Sequence, residues 1–477
     1  TLKFAILLVS FMHKIVTKHM IILLIAWLLL KPIVNSNLKM KKRLFTFCIL
    51  ALALSASFGQ KIDFEEYDLE NGLHVILHQD NTAPVVITSV MYDVGGKDGD
   101  RSRTGFAHFF EHLLFEGSEN IERGEFMKII PANGGTFNAD TSQDRTYYYE
   151  IFPSNKLELG LWLESERMLH PVIDQIGVDT QNEVVKEEKR QSYDAPYGKL
   201  LETIGENLFD KHPYHDPNIG KMEHLDAATL DEFNAYFNKY YGPNNAVLIV
   251  AGDIDKSETK KMIEDYFGAV KPRPKFTRNF PQEAPITETK KVNAYDPNIQ
   301  IPAIIAAYRL PGQATRDSYV LDMISSYLSG GKSSVLYKKI VDDQKQALQV
   351  AAVNLGQVDY NIFALFALPQ GEVELDVILE EMDEEIATMQ NELISERDYE
   401  KLMNQFENRF VNSNSSVEGI ASSLATYHLL YGDANLINTQ LELYSSITRE
   451  EIRDVAKKYL SPNQRVEIKY LPKKDEN

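Results

Sequence analysis

Cysteine is almost missing: Cys48 is the only one in 477 residues, and it lies inside an apolar run close to the start. A single thiol excludes a disulfide framework and a thiolate zinc cluster, and its place in that run argues against a cysteine nucleophile. Basic charge is also short, with 50 Lys/Arg against 69 Asp/Glu and a net charge of −19. Residues 1–59 hold eight of the basic residues and no acidic ones, so the remainder sets 42 against 69, a net charge of −27. A chain this acidic repels phosphate backbones and anionic lipid headgroups, which disfavours nucleic-acid binding and electrostatic docking on a membrane. No low-complexity tract is present. Gly330-Gly-Lys-Ser-Ser334 resembles the end of a phosphate loop, but Ser326 stands where the required earlier glycine would be, so no nucleotide site is expected.

Residues 40–59 read as a secretory signal peptide: a basic start at Met40-Lys-Lys-Arg43, an apolar stretch from Leu44 to Leu54, and a small-residue exit with cleavage near Gly59. The mature chain is then expected outside the cytoplasm, periplasmic or extracellular. A second apolar run, Met20–Leu30, is 11 residues long, short for a bilayer span. Two readings of residues 1–39 follow: translation starts at Met40, or residues 4–34 form an N-terminal anchor.

Beyond the leader the length suffices for several domains. Lys271–Pro285 contains four prolines and little periodicity, and a linker over 271–289 divides the chain into domains at 60–270 and 290–477. The two parts look like repeats. Thr229, Tyr240 and Pro243 in the first match Thr448, Tyr459 and Pro462 in the second, all at an offset of 219. Each block reads as a capped helix, a Pro-Asn turn and a strand. Strand-like runs at Val85–Val94, Tyr147–Phe152, Ile301–Tyr308 and Tyr360–Leu368 mix with helical periodicity at Leu157–Leu169 and Leu375–Met389. The expected fold class is α+β, two homologous domains, each a mostly antiparallel sheet with helices packed on it.

Residues 108–112 read His-Phe-Phe-Glu-His. Thr104 is a plausible N-cap and Gly117 a plausible stop, so the segment is expected to be helical. His108 and His112 then lie on one face, one turn apart, where two imidazoles can chelate one ion. Glu111 stands beside that ion, where a carboxylate can take a proton from a water that a metal has acidified. Two histidines need a third ligand, a histidine or a carboxylate, and the acidic helical segment Gln181–Arg190 is its best source. His74 and His78 share the same spacing, but in a strand-like run they lie about 13 Å apart and cannot share an ion. At an offset of 216, His108, Glu111 and His112 fall on Ile324, Tyr327 and Leu328, so the second domain is expected to be metal-free.

The His-x-x-Glu-His order, followed after 75 residues by Glu188 in Val184-Val185-Lys186-Glu187-Glu188, resembles the M16 (pitrilysin/insulinase) family of zinc metallopeptidases. The resemblance covers roughly residues 62–470 and implies one zinc ion per chain held by His108, His112 and Glu188, with Glu111 as general base and Glu187 as the ligand if the register slips by one. Gln181 occupies a position where the family often has a further glutamate. Gly134–Thr141 resembles the family's substrate-pairing edge strand, which implies that Asn138 and Ala139 contact the peptide backbone by strand addition. The activity implied is a zinc-dependent endopeptidase acting on peptides or unfolded polypeptides. The alternative is a non-hydrolytic peptide-binding or assembly subunit. In either case the resemblance implies a homodimer or heterodimer with another M16-like subunit.

Overall fold

In the computed structural model, residues 61–473 are described; the leader and signal peptide expected over residues 1–59 lie outside them. Six strands form one sheet in the order β1(Glu65–Asp68)-β2(His74–Gln79)-β6(Ala246–Gly252)-β3(Val85–Tyr92)-β5(Thr146–Pro153)-β4(Thr136–Thr141). Five more form a second sheet in the order β7(Lys290–Asp296)-β11(Arg465–Pro472)-β8(Ala303–Pro311)-β10(Tyr360–Pro369)-β9(Ala347–Leu355). Each sheet has one parallel pair, β2 with β6 and β7 with β11, and is otherwise antiparallel. Leaving out β1, the two sheets have the same strand order and the same directions. The chain is therefore α+β with two sheet-plus-helix domains that repeat one topology, as expected.

The repeat is built from the same local chemistry twice. Thr229 and Thr448 each cap a helix with a complete capping box, to Glu232 and Glu451, and each helix leads through a Pro-Asn turn into the strand that pairs in parallel. The box satisfies two of the amide donors that a helix start leaves free. Helices such as Leu157–Leu169 cover one face of the first sheet, while Arg316–Ser329 and Leu375–Asn391 cover the corresponding face of the second.

The opposite faces are covered by exchange. Helix Val417–Tyr431, from the second half, lays Ile420, Ala421, Leu424 and Ala425 on Ile76, Ile87, Met91, Val247 and Ile249 of the first sheet. Helix Leu200–Leu208, from the first half, lays Ile204 and Leu208 on Ile305, Ala307 and Ile468 of the second. Each sheet thus completes its core with a helix from the other half. The segment over 271–287 has neither helix nor strand and is anchored along its length: Arg273 donates to the Tyr241 carbonyl, and Arg278 pairs with Asp93 and Asp98.

A polar network also joins the halves. Lys97 Nζ sits 2.8 Å from both Asp144 and Asp359, the Tyr214 hydroxyl donates to Asp144, and the Val358 amide donates to the same carboxylate. Burial pushes the Asp359 carboxyl up, but the adjacent His212 ring and Lys97 ammonium outweigh it and hold the group well below the ordinary carboxylate range. A carboxylate depressed by folding contributes stability above its unfolded pKa, about 3.9 for Asp, and that contribution fades as pH falls through the folded value. Asp359→Asn is therefore expected to lower stability at neutral pH and to flatten the acid-induced loss below about pH 4. Urea unfolding across this range checks it; an equal deficit at every pH would contradict it.

Candidate metal centre

The His-x-x-Glu-His segment lies in helix Phe106–Leu113, whose other faces bury Phe106, Phe109, Phe110 and Leu113. Phe109 packs on Phe233 and Phe110 on Tyr241, with ring centroids 4.6 and 5.0 Å apart. The Tyr148 hydroxyl of β5 donates to the Phe110 carbonyl at 2.8 Å. The expected N-cap is corrected here: Gly105 takes the position, with φ 93° and no side-chain cap. Thr104 instead spends its hydroxyl on His224 Nδ1 and on the Lys221 amide. The reason is close backbone approach. Gly105 meets Gly220, itself at φ 79°, so tightly that a Cβ on Gly220 would stand 2.5 Å from the Gly105 Cα.

The other end of the helix is held from beneath. Arg167, fully buried, donates to the carbonyl of Leu114, which ends the helix. Its guanidinium also pairs with buried Glu150 and Glu164 and lies 4.3–4.5 Å from the ring centroids of Phe115, Phe126 and Tyr148. Burial, then the neighbouring Glu164 charge, pushes the Glu150 carboxyl well up.

The acidic segment is helical over Gln175–Asp194, started by Asp174, whose carboxylate accepts from the Gly177 amide at 2.8 Å. Val178 and Val185 are buried along one stripe. Two contacts fix its register against the motif helix. Gln181 donates to Glu116 at 2.5 Å, and Arg123 bridges Glu116 to Asp174. Gln181 therefore joins the two helices at the position where the resemblance often has a glutamate. Glu116 and Arg123 were not singled out in the sequence; the only cue was an acidic residue one turn beyond His112.

In this register Glu188 meets both imidazoles. His108 Nε2 lies 3.5 Å from Oε1 and His112 Nε2 lies 3.2 Å from Oε2. One donor atom from each of the three residues falls within 4.8 Å of the others. The two histidine rings stand edge to face, 68° apart with centroids at 5.0 Å, so their in-plane lone pairs can converge. The close approach of His108, then His112, holds the Glu188 carboxyl far below its ordinary range. The buried His112 Nε2 has no hydrogen-bond partner. Two imidazole nitrogens and one carboxylate oxygen, with a buried nitrogen left unpartnered among them, fit a zinc ion. Glu187 points elsewhere, toward Arg190 at 3.2 Å, and is mostly exposed. Glu111 is half-buried on the same helix, and its charge reaches the buried hydroxyls of Tyr148 and Tyr241.

Thr136–Thr141 is the outermost strand β4, paired only with β5. Ala139 opposes Tyr148 and so lies on the side of the motif helix, whereas exposed Asn138 opposes Tyr149 on the other side. The Ala139 amide donates to the Asn138 side-chain oxygen at 3.0 Å.

Two models of one family match consecutive stretches of the chain. Residues 74–220 match the model described as Insulinase (Peptidase family M16), and residues 227–406 match Peptidase M16 inactive domain. The chain belongs to the M16 family and is zinc-protease-like. It is 25% identical to the zinc protease PqqE of Helicobacter pylori, over 91% of this chain and all of that one. It is 23% identical to the uncharacterized zinc protease YmxG of Bacillus subtilis, over 82% and 95%. Among solved structures, a protease from Helicobacter pylori superposes with a TM-score of 0.80 at 25% identity, covering 86% of this chain and 99% of that one. The first half of the periplasmic protease PqqL from Escherichia coli superposes at 0.72 and 19% identity, covering 87% and 93%. Against the whole of PqqL the chain covers 48% of the length.

Removing Arg167 strands two buried carboxylates and frees the end of the motif helix. Arg167→Met is expected to cost about 3–5 kcal/mol. Urea unfolding would measure the loss, and a cost below about 1 kcal/mol would show that Arg167 does not hold this end.

Proposed function

We propose that the protein is a zinc-dependent endopeptidase that hydrolyses peptides or unfolded polypeptides. The observation that carries this reading is the meeting of His108, His112 and Glu188 within 4.8 Å, with Glu111 on the same helical turn. His108, His112 and Glu188 would hold one zinc ion. Zinc bound there supplies Lewis-acid polarisation of the scissile carbonyl and acidifies the attacking water. Glu111 takes the proton from that water and delivers it to the leaving amine, general base and then general acid. The aromatic packing of Phe109 and Phe110 keeps the helix rigid and its buried side dry. An extended substrate adds to the free edge of β4 at Asn138 and Ala139, held through its main chain and thus with little dependence on sequence.

The second domain, with Ile324 and Leu328 fully buried where the first has its histidines, serves as wall and partner surface. A second M16-like subunit, identical or related, pairs with this chain. This is supported by the chain's match to one half of PqqL. Export to the periplasm or beyond fits the signal-peptide pattern and the acidic mature composition. The other reading, a peptide-binding or assembly subunit without hydrolysis, draws on the inactive-domain match over 227–406, but that match begins beyond the histidine motif and Glu188.

Glu111→Gln is expected to retain zinc at this centre and to lose at least about 100-fold in peptide hydrolysis. Glu188→Gln should lose the zinc, and Glu187→Gln should lose neither metal nor activity. Zinc content and a quenched-peptide assay with and without chelator check all three. Substantial hydrolysis by the Glu111 variant would overturn the assignment of the base.

A further inference from the structure

On the face of the first sheet turned away from the motif helix, a second group of donors meets. Asp68 on β1 opposes His74 on β2, and Glu66 lies two residues along on the same face. His428, in the last turn of helix Val417–Tyr431, stacks on His74 with ring centroids 3.7 Å apart and planes at 6°. Donor atoms of Glu66, His74 and His428 all fall within 4.8 Å of one another.

Three observations separate this cluster from an ordinary surface ion pair. First, His74 is oriented as a metal-ligating histidine is: Nδ1 is bonded to Asp68 at 2.8 Å, while buried Nε2 has no hydrogen-bond partner and faces Glu66 at 3.4 Å. Second, two carboxylates, Glu66 and Asp68 on one face of β1, flank the two stacked imidazoles. The local charge is thus negative, and a divalent cation would balance it. Third, the donors come from both halves of the chain, His428 lying on the helix that closes the core of the other half's sheet.

We propose that Glu66, His74 and His428 form a second divalent-cation site, of a kind that takes zinc, which fastens helix Val417–Tyr431 to the first sheet. The site is independent of the reading of the first centre. Two imidazoles and a carboxylate suit borderline metals such as zinc better than calcium or magnesium, which prefer all-oxygen shells. The stacked rings hold their lone pairs in parallel planes, so one ring tilts when the ion binds; half-buried His428 has the freedom to do so.

The test is a zinc count on the full chain, stripped with chelator and dialysed against buffered zinc. The wild type should hold two zinc ions. His428→Ala and Glu66→Gln should each hold one, the latter altering only an exposed side chain on an edge strand. The His108→Ala/His112→Ala double variant should also hold one, and adding His428→Ala to it should leave none. Asp68→Asn should weaken the second site by about ten- to a hundred-fold. A wild type whose single zinc survives Glu66→Gln, a Glu66→Gln chain that still holds two, or a double variant with none would overturn the proposal. A double variant that still holds two, with one in Glu66→Gln, would instead defeat the assignment of the first centre alone.

Discussion

The contact between Glu188 and the two imidazoles, one turn apart, is the constraint that the surrounding structure serves. Its partners come from two helices whose crossing also buries Val178 and Val185 in the core shared with Phe109 and Leu113. The motif helix is pinned at its start by backbone contact between Gly105 and Gly220 and at its end by Arg167 under the Leu114 carbonyl. The acidic helix is set in register by Asp174 at its N-terminus and by Gln181 on Glu116. A shift of one residue along that helix would replace Glu188 with Glu187, which here faces Arg190 and solvent. Buried polar groups of this kind are costly unless satisfied, so rigid placement and an ion-binding capacity arise from the same contacts.

One topology appears twice, and the His-x-x-Glu-His motif lies in one copy. The strand orders match, the parallel pairs match, and the capping boxes match. The helix Arg316–Ser329 carries Ile324 and Leu328, fully buried, where its counterpart carries donors. The first copy accepts polar side chains at the rim of its core, and the second packs the same positions with hydrocarbon. The reciprocal exchange of helices Leu200–Leu208 and Val417–Tyr431 makes each core depend on the other half. The Lys97–Asp144–Asp359 network adds a directional polar contact across the same junction.

Much of this was legible in the sequence wherever the signal was local. The histidine pair lies within five residues, and helical spacing alone brings the rings together. Helix Leu157–Leu169 ends where its periodicity ends, and the 219-residue offset reappears as matching capping boxes. Glu188 was reachable only through family resemblance, because 75 residues of spacing carry no geometric information. Thr104 looked like an N-cap by residue type, but tertiary contact with residues 220–224 gave its hydroxyl other partners. The helix exchange was not legible, since an amphipathic pattern shows that a face is buried but not against which sheet. For the same reason His74 was weighed only against His78, four residues away, whereas its actual neighbour is His428 on the other half.

The central claim is that His108, His112 and Glu188 jointly bind one metal ion. Anomalous diffraction at the zinc edge, from crystals of the zinc-loaded chain, tests it without relying on activity. The account predicts a peak at about 2.0–2.2 Å from a nitrogen of each histidine and an oxygen of Glu188. A map with no peak there, or one in which Glu187 or another side chain completes the coordination, would contradict it.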